Sequence, residues 1–108
     1  MAKYRLIWDA NASNDLADIW EFIAKDSLTA ASKVILNIQT TAKSLKLNPL
    51  LGIEEPILKN KKQDYRCLIY SHYKIIYRLK DDNIIIFKIF DTRQRPSKLK
   101  KIIKKTGK

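Results

Sequence analysis

Alternating polar and apolar positions predict strands at the beginning of the chain and again in its second half. In Lys3–Trp8 basic and apolar side chains alternate with a period of two, which predicts a short opening strand with one wet face. Tyr65–Pro96 is predicted to hold three strands, joined by tight turns at Ser71-His72 and Asp81-Asp82-Asn83. The run Ile84–Phe87 is apolar at every position, which is typical of a strand buried on both faces.

Apolar positions spaced three and four apart predict two helices between these strands. The first helix is predicted to be capped by Asp9 or Asn11, and the second, longer one by Ser27 or Thr29. Asn48-Pro49 ends the second helix. The apolar stripes are Leu16, Ile19, Trp20 and Ile23 in the first helix, and Ala31, Val34, Ile35, Ile38, Ala42 and Leu45 in the second. Helices so close in sequence are expected to form an antiparallel hairpin that covers a sheet.

The strand Tyr73–Lys80 separates its side chains onto two faces. Lys74 and Arg78 share one parity, whereas Tyr73 and Tyr77 share the other. We therefore predict a basic face and a core face, and expect the two tryptophans, Trp8 and Trp20, to be core anchors. The helices are predicted to bury the following residues against the core face: Ile19, Trp20, Ile23, Val34, Ile35 and Ile38.

The order of these elements predicts a two-layer α+β fold, β-α-α-β-β-β, in a single domain over residues 1–108. Leu50–Gln63 is interpreted as a connecting loop with a basic tip formed by Lys59, Lys61 and Lys62. After Pro96, a few apolar residues among lysines predict a short docked helix or a basic tail.

Composition places the chain among globular proteins with one core, because 45% of its 108 residues are apolar. No apolar run is long enough for a membrane span, and the first residues lack the pattern of a signal peptide, so a cytoplasmic protein is expected. The single cysteine, Cys67, has no partner for an internal disulfide and lies within a strand pattern, where we interpret it as core filler.

Charge is divided unevenly between the two halves of the sequence. Residues 1–55 carry 6 basic and 7 acidic side chains, whereas residues 56–108 carry 16 and 4, so the net charge of +11 is the sum of −1 in the first half and +12 in the second. A concentration of positive charge favours an acidic partner, either a nucleic acid or an acidic protein. A basic surface that serves only solubility is the alternative.

Four short motifs occur in order over nearly the whole chain. They are D-L-x-D-I at Asp15–Ile19, L-x-x-N-P-x-x-G at Leu45–Gly52, Y-x-I-I-Y-R at Tyr73–Arg78, and D-T-R-Q-x-P at Asp91–Pro96. Together they resemble the RelE/ParE superfamily of bacterial toxins. The resemblance implies a helical hairpin on one face of a mostly antiparallel sheet. It also implies a type II toxin that is neutralised by an acidic antitoxin in a hetero-oligomer.

Two activities divide that superfamily, and a third possibility stands beside them. RelE-like members cut mRNA in the ribosomal A site, and this metal-free, cofactor-free endoribonuclease activity is the first hypothesis. ParE-like members poison DNA gyrase without nuclease activity. An inactive basic module that only pairs with its antitoxin is the third.

RNA cleavage by a 2′-hydroxyl needs a proton acceptor, a proton donor and cations for the phosphate. By resemblance, Arg93 and Lys74 match basic site residues, whereas Leu99 takes the place of a RelE tyrosine and the paired lysines of RelE have no counterpart. Arg66 and His72 complete the predicted catalytic set. The predicted nucleic-acid-binding residues are Lys59, Lys61, Lys62, Arg78 and Arg95.

Structural roles are the alternative for several of these residues. His72 lies in a predicted turn, where most histidines are only solvated. The arginines near the strand ends could instead tie the sheet to Asp64 or Asp91. No cluster of cysteine and histidine suggests a metal site.

Overall fold

A helical hairpin and a five-stranded sheet form the two layers of the fold in the computed structural model, which describes residues 3–58, 64–94 and 98. The α+β class and the three consecutive strands are confirmed. The elements are β1 (Arg5–Trp8), α1 (Ala10–Ala24), α2 (Leu28–Lys43), β2 (Ile53–Glu54), β3 (Tyr65–Tyr70), β4 (Tyr73–Lys80) and β5 (Asn83–Asp91), with 3₁₀ turns at Ser44–Lys46 and Pro56–Leu58. The two-residue β2 was not predicted.

Both helices begin at capping residues that the sequence offered. Asp9 caps α1 with its carboxylate, which accepts a hydrogen bond from Ala10 N at 2.9 Å. Ser27 caps α2, and its hydroxyl oxygen accepts from Ala30 N at 3.0 Å. Neither helix is long and apolar enough to cross a membrane, as far as the described residues show.

The sheet has the order β1-β5-β4-β3-β2 and is mostly antiparallel. Its one parallel pair joins β1 to β5, from Arg5 opposite Asn83 to Trp8 opposite Ile86. The strand β5 therefore lies between two neighbours, as its continuous apolar run predicted. The turns before β4 and β5 each begin at a residue with φ of 57°, Ser71 and Asp81, and Asn83 already belongs to β5.

β5 is longer than its neighbour β1. Beyond the end of β1, a β-bulge and a carboxylate from α1 protect the free edge of β5. Ile76 lies opposite Lys88 and Tyr77 opposite Ile86, so Phe87 is the extra residue of the bulge. Asp15 of α1 then accepts hydrogen bonds from Ile89 N at 2.9 Å and from Lys88 Nζ at 2.8 Å. Burial raises the pKa of Asp15, while these two bonds act in the opposite direction.

The helices pack on the sheet face that carries Tyr73, Ile75 and Tyr77, and Lys74 and Arg78 lie on the opposite face, as predicted. The expected burial of Trp20 is wrong, because 40% of this residue is exposed. α1 contacts the sheet through Ala12, Leu16 and Ile19, and Trp20 lies at the margin of this stripe. Among the other helix residues predicted to be buried, Ile38 is fully buried, and Ile19, Ile23, Val34 and Ile35 are partly exposed.

The second face of the sheet is apolar at its centre, which differs from the predicted basic face. Ile76 has the parity of Lys74 and Arg78, and the bulge turns Phe87 toward the same side. The 3₁₀ turn Pro56–Leu58 places Leu58 on this cluster, which also contains Tyr65, Cys67, Ile76, Phe87 and Phe90. Cys67 is buried as predicted, and burial raises the pKa of its thiol to about 11.

The segment between α2 and β2 is fastened to the sheet by the hydroxyl of Tyr77. This buried hydroxyl donates to Pro49 O at 2.8 Å and accepts from Gly52 N at 2.9 Å. A Cβ at position 52 would lie 2.7 Å from the Tyr77 hydroxyl and 2.7 Å from Cys67 O. Glycine is therefore required there by a close approach, which links two of the motifs seen in the sequence.

We expect Tyr77→Phe to lower the free energy of unfolding by about 1–3 kcal/mol, because Pro49 O and Gly52 N each lose a buried partner. Tyr4→Phe is the matched control, since the Tyr4 hydroxyl makes no hydrogen bond to the described residues. Urea denaturation of both variants measures the difference. Equal midpoints for the two would contradict a fastening role for the hydroxyl.

Candidate functional site

A shallow, open cleft of about 230 Å³ lies where α1 meets the ends of β4 and β5. Its walls combine apolar and charged side chains: Asp18, Ile19, Phe22, Tyr73, Asp91 and Arg93. Phe22 is 68% exposed at the rim, whereas Tyr73 is buried. An exposed aromatic residue beside charged groups is a feature of protein-binding surfaces.

Arg93 is held at the rim of this cleft by Asp91. The guanidinium donates from Nε to Asp91 Oδ1 at 3.0 Å and from Nη2 to Asp91 Oδ2 at 2.7 Å. The backbone N of Arg93 also donates to Oδ1 at 2.9 Å. The bond from Arg93 is the main reason that the pKa of Asp91 lies below its ordinary value. One guanidinium edge is thus occupied, while the side chain remains largely exposed.

His72 lies next to this cleft, in the turn between β3 and β4. Its backbone carbonyl accepts hydrogen bonds from the N and the Oγ1 of Thr92, both at 2.8 Å. Its ring packs on Tyr73 with a centroid separation of 4.3 Å, and Nδ1 lies 3.3 Å from Ser71 Oγ. Nε2 is buried and has no hydrogen-bond partner among the described residues. The structure therefore brings two predicted site residues, His72 and Arg93, to one corner of the fold.

Lys74 lies on the other face of the sheet, away from Arg93, and it is engaged in an ion pair. Its Nζ donates to Glu55 Oε1 at 2.8 Å, and the Glu55 side chain is fully buried. Glu55 is fixed in turn by its backbone N, which donates to Tyr65 O at 2.9 Å. The pair thus joins β4 to the chain that follows β2.

Arg66 lies at a third location, beside the segment before β2 that the Tyr77 hydroxyl fastens to the sheet. Its Nη1 donates to Gly52 O at 2.8 Å, and Nε lies 3.9 Å from the carboxylate of Asp64. Nε is buried and makes no hydrogen bond to a described residue. The structural alternative for the arginines is thus realised in Arg66 near Asp64 and in Arg93 with Asp91.

Of the predicted nucleic-acid-binding residues, the structure describes only Arg78. Arg78 is partly buried on the second face, where its neighbours on adjacent strands are Tyr65 and Ile85. Residues Lys59, Lys61, Lys62 and Arg95 lie outside the described residues, as does the tail from residue 99. No group of metal-ligating side chains comes together in the described parts of the chain.

Sequence reasoning named Asp64 and Asp91 as possible partners of the arginines but missed Glu55, the partner of Lys74. Glu55 gave one signal, because it stands beside Glu54 just before Pro56 in an otherwise basic loop. Asp91 was noticed as a possible tie but not as a wall of the cleft. Phe22 gave no signal in the sequence, because it lies outside the apolar stripe of α1 and a single apolar residue on the exposed side of a helix is common.

Comparisons with known proteins now add to this geometry. The family model described as "ParE toxin of type II toxin-antitoxin system, parDE" matches residues 6–96. The fold is similar to a solved structure titled "Chromosomal ParDE TA system from P. aeruginosa", with a TM-score of 0.68. The two chains are 22% identical, and the match covers 82% of this chain and 96% of the other. No curated protein matches the sequence significantly.

We expect Lys74→Ala to lower the free energy of unfolding by about 1.5–3 kcal/mol, because the buried carboxylate of Glu55 loses its charged hydrogen bond from Lys74. The double variant Glu55→Gln/Lys74→Met removes both charges and should recover most of that loss. Urea denaturation tests both statements. If Lys74→Ala unfolds at the wild-type midpoint, the ion pair contributes nothing to stability.

The Asp91 carboxyl should titrate below its ordinary pKa of 3.8, and Arg93→Ala should raise this pKa toward that value. Because the pKa is lowered by folding, the pair stabilises the fold above about pH 4 and the effect is lost as the pH falls through the lowered pKa. Carbon-detected NMR of the side-chain carboxyl measures the midpoint. Arg5→Ala, which removes an exposed arginine on β1, is the control and should leave the midpoint unchanged.

Proposed function

Because the chain belongs to the ParE toxin family of type II toxin–antitoxin systems, we propose that it arrests growth by poisoning DNA gyrase and does not cut mRNA. The observation that carries this proposal is the family match, which extends over residues 6–96 and so includes both helices and every described strand except the first residue of β1. The sequence motifs alone had left the choice open and had put RNA cleavage first. The family match favours the alternative.

The placement of the candidate catalytic residues supports the same choice. Cleavage by a 2′-hydroxyl requires an acid, a base and a cation at one phosphate. Lys74 lies in an ion pair on the second face of the sheet. Arg66 is hydrogen-bonded to Gly52 near the start of β3, whereas His72 follows the end of that strand. Within the described residues, the four candidates are thus distributed over three places. Such a distribution argues against a nuclease site built from these four residues.

RNA cleavage remains the second candidate because of one specific contact. Residue 72 is hydrogen-bonded through its carbonyl to Thr92, directly before Arg93, so an imidazole and a guanidinium lie at the same corner. Arg93 presents the geometry that binds two oxygens of one phosphate, once Asp91 is displaced. The His72 imidazole would act as a general acid or base, and the Arg93 guanidinium would bind the phosphate, without a metal.

The proposed partner is an acidic antitoxin, which would hold the toxin in a cytoplasmic hetero-oligomer. The net charge of +11 supports such a partner, since opposite charges accelerate the encounter of two proteins. Release of the antitoxin would then expose the toxin to gyrase.

Induction of the wild type and of Arg93→Ala tests the proposed target. We expect the wild type to inhibit gyrase supercoiling and to stabilise DNA breaks, with no new mRNA ends, because the family match points to gyrase. If Arg93 contacts the target through its exposed guanidinium, Arg93→Ala should retain the fold and lose arrest by at least about tenfold in induced dose. Supercoiling assays with purified gyrase and mapping of mRNA 5′ ends provide the measurements.

Arg5→Ala is the charge-matched control, because Arg5 is an exposed arginine at the other side of the sheet. Codon-phased mRNA ends without gyrase inhibition would replace the proposal by the nuclease. Absence of arrest by the wild type would leave only the antitoxin-binding module. Arrest that is unchanged in Arg93→Ala would remove Arg93 from the mechanism.

A further inference from the structure

One wall of the cleft between α1 and the ends of β4 and β5 carries a charge that no described residue neutralises. The carboxylate of Asp91 is bonded to Arg93, and that of Asp15, one turn earlier on α1, is bonded to Lys88. Asp18 is exposed and makes neither a hydrogen bond nor an ion pair within the described residues. The unpaired charge that the cleft offers to a ligand is therefore negative and lies at Asp18.

Apolar and aromatic walls lie next to this carboxylate. Ile19 and Phe22 share one side of α1 with Asp18, because residues three and four apart are neighbours on a helix surface. Phe22 is 68% exposed, so much of its ring can meet a ligand, and Tyr73 forms a wall on the sheet side. The cleft thus combines an unpaired carboxylate with an exposed aromatic ring.

The volume of the cleft, about 230 Å³, suits a single side chain of a partner protein. Pockets that hold drug-sized molecules are larger, roughly 300–1,000 Å³. A cation with an apolar stem matches both kinds of wall. Among such side chains arginine matches best, since its planar guanidinium forms two parallel hydrogen bonds to a carboxylate and also stacks on an aromatic ring.

The charges around the cleft also favour a cation. Residues 9–26, which include α1, carry five acidic side chains and one lysine, although the whole chain has a net charge of +11. At physiological ionic strength, charges separated by more than about 8 Å are largely screened, so a group inside the cleft experiences mainly α1. A phosphate group or an acidic peptide is repelled there, whereas a basic side chain is attracted.

We propose that the cleft binds an arginine side chain on the surface of the target protein, DNA gyrase. The guanidinium of that arginine pairs with Asp18 and stacks on Phe22, and its methylene groups pack against Ile19. This inference rests on the proposed gyrase function and specifies the chemistry of the contact. The acidic antitoxin is repelled from Asp18 and binds elsewhere on the toxin.

Two matched variants, each lacking one carboxylate, test the pairing. Asp18→Asn removes the charge inside the cleft with little change of shape, and Asp26→Asn removes that of an exposed aspartate just after α1, outside the cleft walls. The probe is purified gyrase, and surface plasmon resonance measures its affinity. We expect Asp18→Asn to bind at least about fivefold more weakly and Asp26→Asn to bind like the wild type. Equal affinity of Asp18→Asn and the wild type would overturn the proposal while leaving gyrase as the target.

Charge reversal at the same two positions identifies the sign of the occupant. Asp18→Lys should bind gyrase at least about tenfold more weakly, because the new lysine repels the arginine, and Asp26→Lys should bind like the wild type. A DNA phosphate in the cleft would instead be attracted, so tighter binding of gyrase and DNA by Asp18→Lys would overturn the proposal.

The antitoxin provides a second readout for the same variant. Its probe is the purified product of the reading frame adjacent to the toxin gene. This protein should bind Asp18→Lys at least as tightly as the wild type, because an added lysine attracts an acidic partner. Loss of antitoxin affinity together with unchanged gyrase affinity would assign the cleft to the antitoxin and overturn the proposal.

Two substitutions of Phe22 separate stacking from general apolar contact. Phe22→Trp keeps an aromatic ring at this exposed position, and Phe22→Leu keeps apolar bulk without a ring. Stacking of a guanidinium predicts that Phe22→Trp binds gyrase like the wild type and that Phe22→Leu binds at least about threefold more weakly. Equal binding by Phe22→Leu and the wild type would place an apolar side chain in the cleft and overturn the assignment of arginine.

Chemical modification of gyrase identifies the arginine directly and needs no substitution in the toxin. Phenylglyoxal modifies exposed arginines, and mass spectrometry locates the modified positions. The wild-type toxin should protect at least one arginine of gyrase from modification, and Asp26→Asn should protect it equally well. A gyrase complex in which no arginine is protected would overturn the proposal.

The remaining outcomes distinguish the contact from the function. Failure of the wild type to bind gyrase would contradict the proposed function and remove this partner with it, whereas binding that no cleft variant weakens would contradict the contact alone. Light scattering of the toxin alone should show a monomer, since two copies of charge +11 repel each other. A dimer that Asp18→Asn dissociates and Asp26→Asn does not would assign the cleft to a second copy, which also overturns the proposal.

Discussion

The hydrogen bonds of the Tyr77 hydroxyl to Pro49 O and Gly52 N determine how the chain crosses from the helical layer to the sheet. Because the crossing is fixed at Gly52, β2 meets β3 in a single register and Glu55 enters the fold beside Lys74. The 3₁₀ turn that follows then lies on the second apolar cluster. One side chain from the middle of the sheet thus organises both the connection on the helix side and the cover on the opposite face.

Part of the positive charge in the described residues is less available than the composition suggests. Three cations that the sequence marked as chemically attractive are engaged: Lys74 with Glu55, Arg66 with Gly52 O and Arg93 with Asp91. Of these, only the pair with Asp91 is placed at an open cleft, where a stronger anion could displace it. The described residues therefore offer one cationic contact at an open cleft, beside the exposed aromatic ring of Phe22, a combination suited to protein recognition.

Local sequence signals predicted most of the fold and little of the site. Periodicity and capping chemistry act over a few residues, so the three consecutive strands, the caps Asp9 and Ser27 and the two faces of β4 followed from them. Trp20 and the pairing of Glu55 with Lys74 depend on how distant segments approach each other, which no local pattern contains. β2 was missed because two residues are too few to show a period.

The parallel pairing of β1 with β5 has a consequence for biosynthesis. The first strand of the chain has its ladder partner only in the last one, since Arg5 pairs with Asn83 and Trp8 with Ile86. Contacts that are so distant in sequence form late, and a chain emerging from the ribosome cannot complete its sheet until β5 has been released. A newly made chain would therefore stay incomplete through most of its own translation, with β1 lacking its ladder partner until β5 has emerged.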